Sequence, residues 1–369
     1  MALQAWFPPL RSESDKLRNL DLLRLIASYA IVVHHFRSYG LTGHYAPQLH
    51  WWWLPLFVDL FFTISGFVIC FVYFDRMESW ADYGRFMQRR IGRLVPLHWA
   101  TLFAFSLIGL SLYLGVKVEE PDKYNWQCFL PNLFMVHSLG VCDRLTFNYA
   151  SWSISAEMLI YLFFPLFCFF LRRGPWLPLL LGIAGIAALA FRAPSSPDPE
   201  KFWVILTYDF GFERGIPSFL IGMSLYGLRD RLALLPRPDL LMYGLLAIFI
   251  ALGLVGIRPF YLLPLVYVIA ASAIAADRQG RIAPLAAKVS VGGQLTYSIY
   301  MLHPLVGTLM LALVGKHLLH LGTAAMSAWC LLGGAVVFGV GYLSFVYFET
   351  PMRHWVSRIN LRREAPAIT

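Results

Sequence analysis

The chain has 369 residues, of which 58% are hydrophobic and only 14% charged, with a mean hydropathy of +0.61. Soluble domains carry about a quarter charged residues, so the composition excludes a soluble protein of the two domains or so that this length would suggest. The net charge of +9 would suit a nucleic-acid partner, but its distribution along the chain argues for orientation in a bilayer instead.

A helical span needs about 20 apolar residues to cross roughly 30 Å of hydrocarbon. Ten segments approach or meet that length: 20–39, 54–74, 94–116, 152–171, 175–191, 211–228, 239–257, 259–276, 294–314 and 323–348. The sixth and ninth are the least apolar, and neither a short-period repeat nor a low-complexity tract is apparent. The expected architecture is all-α, a polytopic transmembrane bundle of about ten spans. One membrane domain, 20–355, lies between an N-terminal segment, 1–19, and a tail, 356–369. The longest connection, 117–151, has room for an amphipathic or re-entrant piece at "CFLPNLFMVHSL".

With the N-terminus in the cytoplasm, the segments on that side hold 20 Lys and Arg against nine outside, Arg24 lying within the first span. That asymmetry is the positive-inside pattern. It places both termini in the cytoplasm, and nucleic-acid binding is not needed to explain the charge. The first apolar run is longer than a signal core and lacks a small-x-small site, so it is expected to stay in the mature chain. Of the five cysteines, Cys128 and Cys142 share the long outward loop, as a disulfide or as two thiols. Cys70, Cys168 and Cys330 lie in spans, where a cysteine packs as a small apolar group. No metal-ligand spacing appears.

The first span, "LDLLRLIASYAIVVHHFRSYG", carries Arg24, His34 and His35. Eleven residues turn a helix by about 1100°, roughly 20° past three full turns. Arg24 and His35 therefore share a face, about 16 Å apart along the axis, whereas His34 lies about 80° away. Charged groups in a span are costly and mostly face a protein interior; the alternative is an arginine that snorkels to the surface. The second span, "VDLFFTISGFVICF", has Asp59 towards its outer end. Its mid-membrane Ser65-Gly66 suits either close helix approach or a ligand. At the inner face, "RFMQRRIGRLVPLHW" places Arg90 and Arg93 three apart on one helix side, with Arg89 pointing elsewhere. Planar guanidinium forks suit phosphates; a plain orientation signal is the competing reading.

The fourth span opens "SWSISAEMLIYLFFP", with Glu157 and, one turn deeper, Tyr161. A carboxylate near His35 would orient the imidazole and raise its basicity. His303 precedes Pro304 in the ninth span, where proline frees a carbonyl and bends the helix. Glu349 and Arg353 end the tenth span as an i,i+4 pair. The triple Trp51, Trp52 and Trp53 at the outer mouth suits an interface belt or sugar stacking. The depth map places arginines at the inner face and His35, Asp59 and Glu157 towards the outer one.

In this order, "LDLLRLIASYAIVVHHF", "VDLFFTISGFVI", "RRIGRLVPLHW", "SWSISAEMLIYLFFPLF", "YSIYMLHPL" and "YFETPMRHW" resemble the acyltransferase-3 family of membrane acyltransferases, over about 20–355. The resemblance implies an enzyme of the bacterial inner membrane that moves an acetyl or other short acyl group from coenzyme A to a hydroxyl. The acceptors it implies are usually sugars of lipopolysaccharide, exopolysaccharide, peptidoglycan or lipochitooligosaccharide, and sometimes antibiotics. The family's essential Arg and His fall on Arg24 and His35, its paired arginines on Arg90 and Arg93, and its acid on Glu157. His34 stands where relatives often have tyrosine. About 20 residues follow the last span, so a stand-alone transferase is expected, without the esterase-like domain that peptidoglycan acetylation usually uses.

The expected partners are acyl-CoA as donor, a glycan or other hydroxyl acceptor, and the lipid bilayer, with no permanently bound cofactor and no metal; a homo-oligomer is compatible with the sequence. In the expected mechanism Arg90 and Arg93 hold the donor's phosphates, and its pantetheine arm threads past Ser65-Gly66. His35 is general base or acyl carrier. Glu157 or Asp59 orients it, and Arg24 contacts the donor. The rival is a proton-coupled secondary transporter of a small polar or anionic solute, which also keeps ionisable groups in its spans. Such carriers commonly show paired inverted repeats, and the two halves of this sequence show no convincing correspondence.

Overall fold

The computed structural model describes residues 10, 17–40, 49–115, 120–192 and 206–359. Arg11, Lys16, Lys117, Lys201, Arg362 and Arg363, all used in the charge count, lie outside the described residues, as do most of the 1–19 segment and of the tail. Each of the ten apolar segments is helical. Helix α1 is Arg18–Gly40, α2 Leu56–Tyr73 and α3 Trp80–Ser111. A pair follows, α4 Trp152–Leu162 and α5 Phe164–Arg172, then α6 Trp176–Arg192 and α7 Gly211–Gly227. The rest are α8 Pro238–Leu254, α9 Pro259–Arg278, α10 Thr296–Val306, α11 Thr323–Ser344 and α12 Thr350–Ser357. The described residues contain no strand.

Local chemistry sets the boundaries. A capping box of Ser79 and Asp82 starts α3 by satisfying amides that have no partner within the helix. The first amides of α1 are satisfied from another helix: the Asp277 carboxylate at the end of α9 accepts from Asn19 N at 2.8 Å and Leu20 N at 3.2 Å. Pro165 cannot donate to the carbonyl of Tyr161, and the segment expected as one span bends there by 58° between α4 and α5. Pro304 likewise leaves the carbonyl of Tyr300 without its usual amide, and α10 runs on as a π-helical stretch, Gly307–Leu318.

Five described helices are long and apolar enough to cross a bilayer, or six if the bent pair counts as one. Helices α6 and α8 are apolar but shorter. Helices α1 and α7, which carry Arg24 and Arg214, are not among the five. The outward faces display large apolar side chains, such as Leu107, Phe191 and Leu331, as lipid contact requires.

Helices α2 and α7 make the closest crossing. A Cβ added at Gly66 would stand 2.1 Å from the carbonyl oxygen of Phe219, and one at Gly222 would stand 2.0 Å from that of Thr63. Gly66 is therefore committed to helix packing. Asp59 and Arg214 pin the same two helices at 2.6 Å, with side chains 0% and 1% exposed. Arg214 also donates to the carbonyls of Pro55 at 2.8 Å and Leu206 at 3.2 Å. Arg214, one of the nine Lys and Arg counted as outward from the sequence, is instead buried in the bundle. At the opposite end α12 folds back onto α3, where Gln88 donates to the carbonyl of Val356 at 2.7 Å.

The long connection after α3 is ordered over 120–151. It holds a short helix, Phe129–Leu133, and a Cys128–Cys142 disulfide with Cα atoms 6.0 Å apart. Buried Asn148 ties it down, donating to Thr101 Oγ1 at 3.1 Å and to the carbonyl of Met301 at 3.0 Å.

Candidate active site

At the arginine-rich end a vestibule of about 450 Å³ opens between α1, α2, α3 and α12. Its wall carries Arg24 from α1, Arg89, Arg90 and Arg93 from α3, and Arg353 and His354 from α12. The spacing of α3 places Arg90 and Arg93 together as expected, but Arg89, expected to point away, lines the vestibule too. Arg24, Val68, Ile69, Arg90 and Arg93 also border a second, deeper chamber of about 120 Å³. Arg90 is braced there: it donates to the hydroxyl of Tyr73 at 3.0 Å, and its guanidinium lies 5.2 Å from that ring's centroid. Arg24 sits 3.6 Å from Asp21, one turn earlier on α1.

The chamber's inner wall is polar. Ser65 donates to Glu157 at 2.7 Å, and Tyr161 donates to the same carboxylate oxygen. Ser65 and Tyr161 are themselves 3.0 Å apart. Tyr297 and Tyr300, from α10, close the rest, with Phe61 and Ser153 beside Tyr300. Glu157 was expected beside His35. It lies instead in the same chamber as the arginines, held by Ser65 and Tyr161.

His35 does not line this chamber. Its ring stacks on His303 at 5.2 Å, meets Tyr149 of the outer connection at 4.6 Å, and has His34 edge-on at 4.8 Å. Arg24 and His35 thus both face α10, one beside Thr296 and Tyr297, the other on His303. His303 is fully buried, and its further ring neighbours are Tyr300 at 5.8 Å, Tyr149 at 6.2 Å and Phe36 at 6.4 Å. Asp59 is not beside His35 either, since Arg214 takes its carboxylate. Glu349 is buried, accepting from Ser298 at 2.9 Å and facing Arg353 at 3.9 Å; this is the expected structural pair, with Arg353 also on the vestibule wall.

The residues of this region not singled out from the sequence include Tyr73, Tyr149, Ser153, Arg214, Tyr297 and Tyr300. Arg214 had a signal, because it is an intramembrane charge in one of the two least apolar segments. The tyrosines had none, being ordinary aromatic residues among 18 of their kind. Of the tryptophans, Trp53 is buried under α8, Trp51 is half-buried, and Trp52 stays exposed with Arg37 5.6 Å above its ring.

The arrangement joins a cationic mouth, a largely apolar chamber that carries Ser65, Glu157 and tyrosines, and, next to Tyr300, a pair of imidazoles. The acyltransferase domain model matches residues 17–345, nearly the whole of the region just described. The chain belongs to the acyltransferase-3 family. Over 139 residues it is 32% identical to the acyltransferase MdmB of Streptomyces mycarofaciens, covering 37% of this chain and 34% of that protein. Over 144 residues it is 24% identical to ORF330 of Acidianus two-tailed virus, named as an acetyltransferase, covering 39% and 38%. The chain thus spans a little over a third of the length of these curated relatives. No solved structure matches it.

Proposed function

We propose that the chain transfers an acetyl or other short acyl group from acyl-CoA to a hydroxyl of a sugar or glycan. The donor enters at the arginine end and the acceptor at the histidine end. The reading includes about ten crossings of a bacterial inner membrane with both termini cytoplasmic. One observation carries it: a vestibule of about 450 Å³ walled by Arg24, Arg89, Arg90, Arg93 and Arg353 adjoins a smaller chamber of about 120 Å³ that shares Arg24, Arg90 and Arg93 with it. Coenzyme A has that shape, with a polyanionic head and a thin pantetheine chain. Guanidinium forks bind phosphate through charge-assisted bonds. The acetyltransferase naming of the viral relative supports acetyl as the group.

In this reading the thioester passes Ser65 and Glu157, and His35 takes the proton of the acceptor hydroxyl. The hydroxyl oxygen bonds to the acyl carbon, the C–S bond breaks, and the proton passes to the departing thiolate. A base so placed contributes about 10²–10⁴-fold. An acyl-imidazole on His35 is the alternative route; label retained on His35 without acceptor identifies it. The carrier reading has no support from a family of transferases.

Purified protein in proteoliposomes, given radiolabelled acetyl-CoA and bacterial surface glycan, should yield labelled glycan. His35→Ala should remain folded and lose nearly all of that label. Flux of a solute without covalent transfer would return the protein to the carriers.

A further inference from the structure

Acyl transfer needs reacting atoms about 3–3.5 Å apart. A thioester in the chamber cannot reach His35 in the present arrangement. Tyr300 lines the chamber, whereas His303 and His35 do not; the Tyr300 ring lies 5.8 Å from that of His303, which stacks on His35 at 5.2 Å. Tyr300 is a chamber-lining side chain whose ring packs against that of His303. Its hydroxyl accepts a hydrogen bond from Ser153 at 2.7 Å, and Phe61 packs edge-on against its ring at 5.9 Å.

We propose that Tyr300 is a positioning residue that gates the passage between donor chamber and imidazole pair, latched shut by Ser153. The backbone beneath it is suited to movement. Pro304 leaves the Tyr300 carbonyl without its amide partner, and the helix turns π-helical from Gly307, a form often found at functional points in helices. Opening replaces the Ser153 bond with contact to the donor, so the thioester meets His35 only when the gate swings. The closed gate keeps acyl-CoA away from water activated by His35. Without it, water would add to the acyl carbon, the C–S bond would break, and the proton taken by His35 would go to the thiolate, releasing acetate and coenzyme A.

This rests on acyl-CoA being the donor, and the test separates the two ideas. Acetyl-CoA binding and acceptor-free release of coenzyme A thiol are measured for wild type, Ser153→Ala, Tyr300→Phe and Tyr300→Ala. The gate predicts that Tyr300→Ala raises acceptor-free hydrolysis, measured at saturating acetyl-CoA, about tenfold or more, within the range of general-base catalysis. Ser153→Ala and Tyr300→Phe, which keep the packing, should raise it less, and adding His35→Ala should abolish the increase. Wild-type hydrolysis rates in all three variants, with donor binding intact, overturn the gate alone. A wild-type chain that binds no acetyl-CoA overturns the donor reading and the gate with it.

Discussion

The Asp59–Arg214 pair shows how one contact fixes two roles at once. Both side chains are removed from solvent, so each charge is tolerable only because the other is present. Removing one partner of a buried pair costs about 3–5 kcal/mol. Arg214→Met should therefore lower the melting temperature in detergent strongly, and adding Asp59→Leu should recover much of the loss. Equal stability of the single and double variants would show the pair to be idle. Asp59 was legible as a rare intramembrane acid; its use was not, because its partner lies 155 residues away. Glu157 teaches the same lesson. Its intramembrane position marked it, but only the fold shows Ser65 and Tyr161 holding it. Glu157→Gln keeps the shape and discards the charge, so transfer should fall while the melting temperature changes little, in a paired activity and unfolding assay.

Whole helices were the most legible level, because ten long apolar runs have little choice but to become helices in a membrane. What periodicity could not supply is how they cross. Gly66 and Gly222 set the approach of α2 to α7 against opposing carbonyls, and backbone atoms cannot yield as a flexible side chain would. Gly66→Ala should destabilise by about 1–3 kcal/mol through overpacking, read as a lower melting temperature. The outer connection was legible as a long loop with two cysteines, yet its ordered interior was not. His137 there donates to or accepts from Ser151 at 3.0 Å. Burial, and then the stacked His98 ring, push it from the ordinary 6.5 down to about 3. The unfolded loop takes up that proton first, so stability falls as pH drops from about 6.5 towards 3. One such proton gives a slope of about 1.4 kcal/mol per pH unit. Unfolding between pH 7 and pH 4 should be less acid-sensitive in His137→Gln; an unchanged slope would show that another group governs it.

At the scale of the molecule, five arginines wall one vestibule, a serine, a carboxylate and tyrosines line the chamber next to it, and the His35–His303 pair lies outside both. The sequence legibly held the two ends, through Arg24, Arg90, Arg93 and His35. It did not show that His303 and Tyr300, three apart on α10, pack towards His35, since the His35–His303 contact joins separate helices and leaves no spacing to read. The central claim is that the arginine vestibule receives acyl-CoA while His35 acts later, on the transfer itself. Titration of purified wild type, Arg90→Ala, Arg93→Ala and His35→Ala with radiolabelled acetyl-CoA tests it most directly. The account predicts weaker donor binding in both arginine variants and unimpaired binding in His35→Ala, which nevertheless transfers no acetyl group to glycan. Unchanged binding in the arginine variants, or normal transfer by His35→Ala, would contradict it.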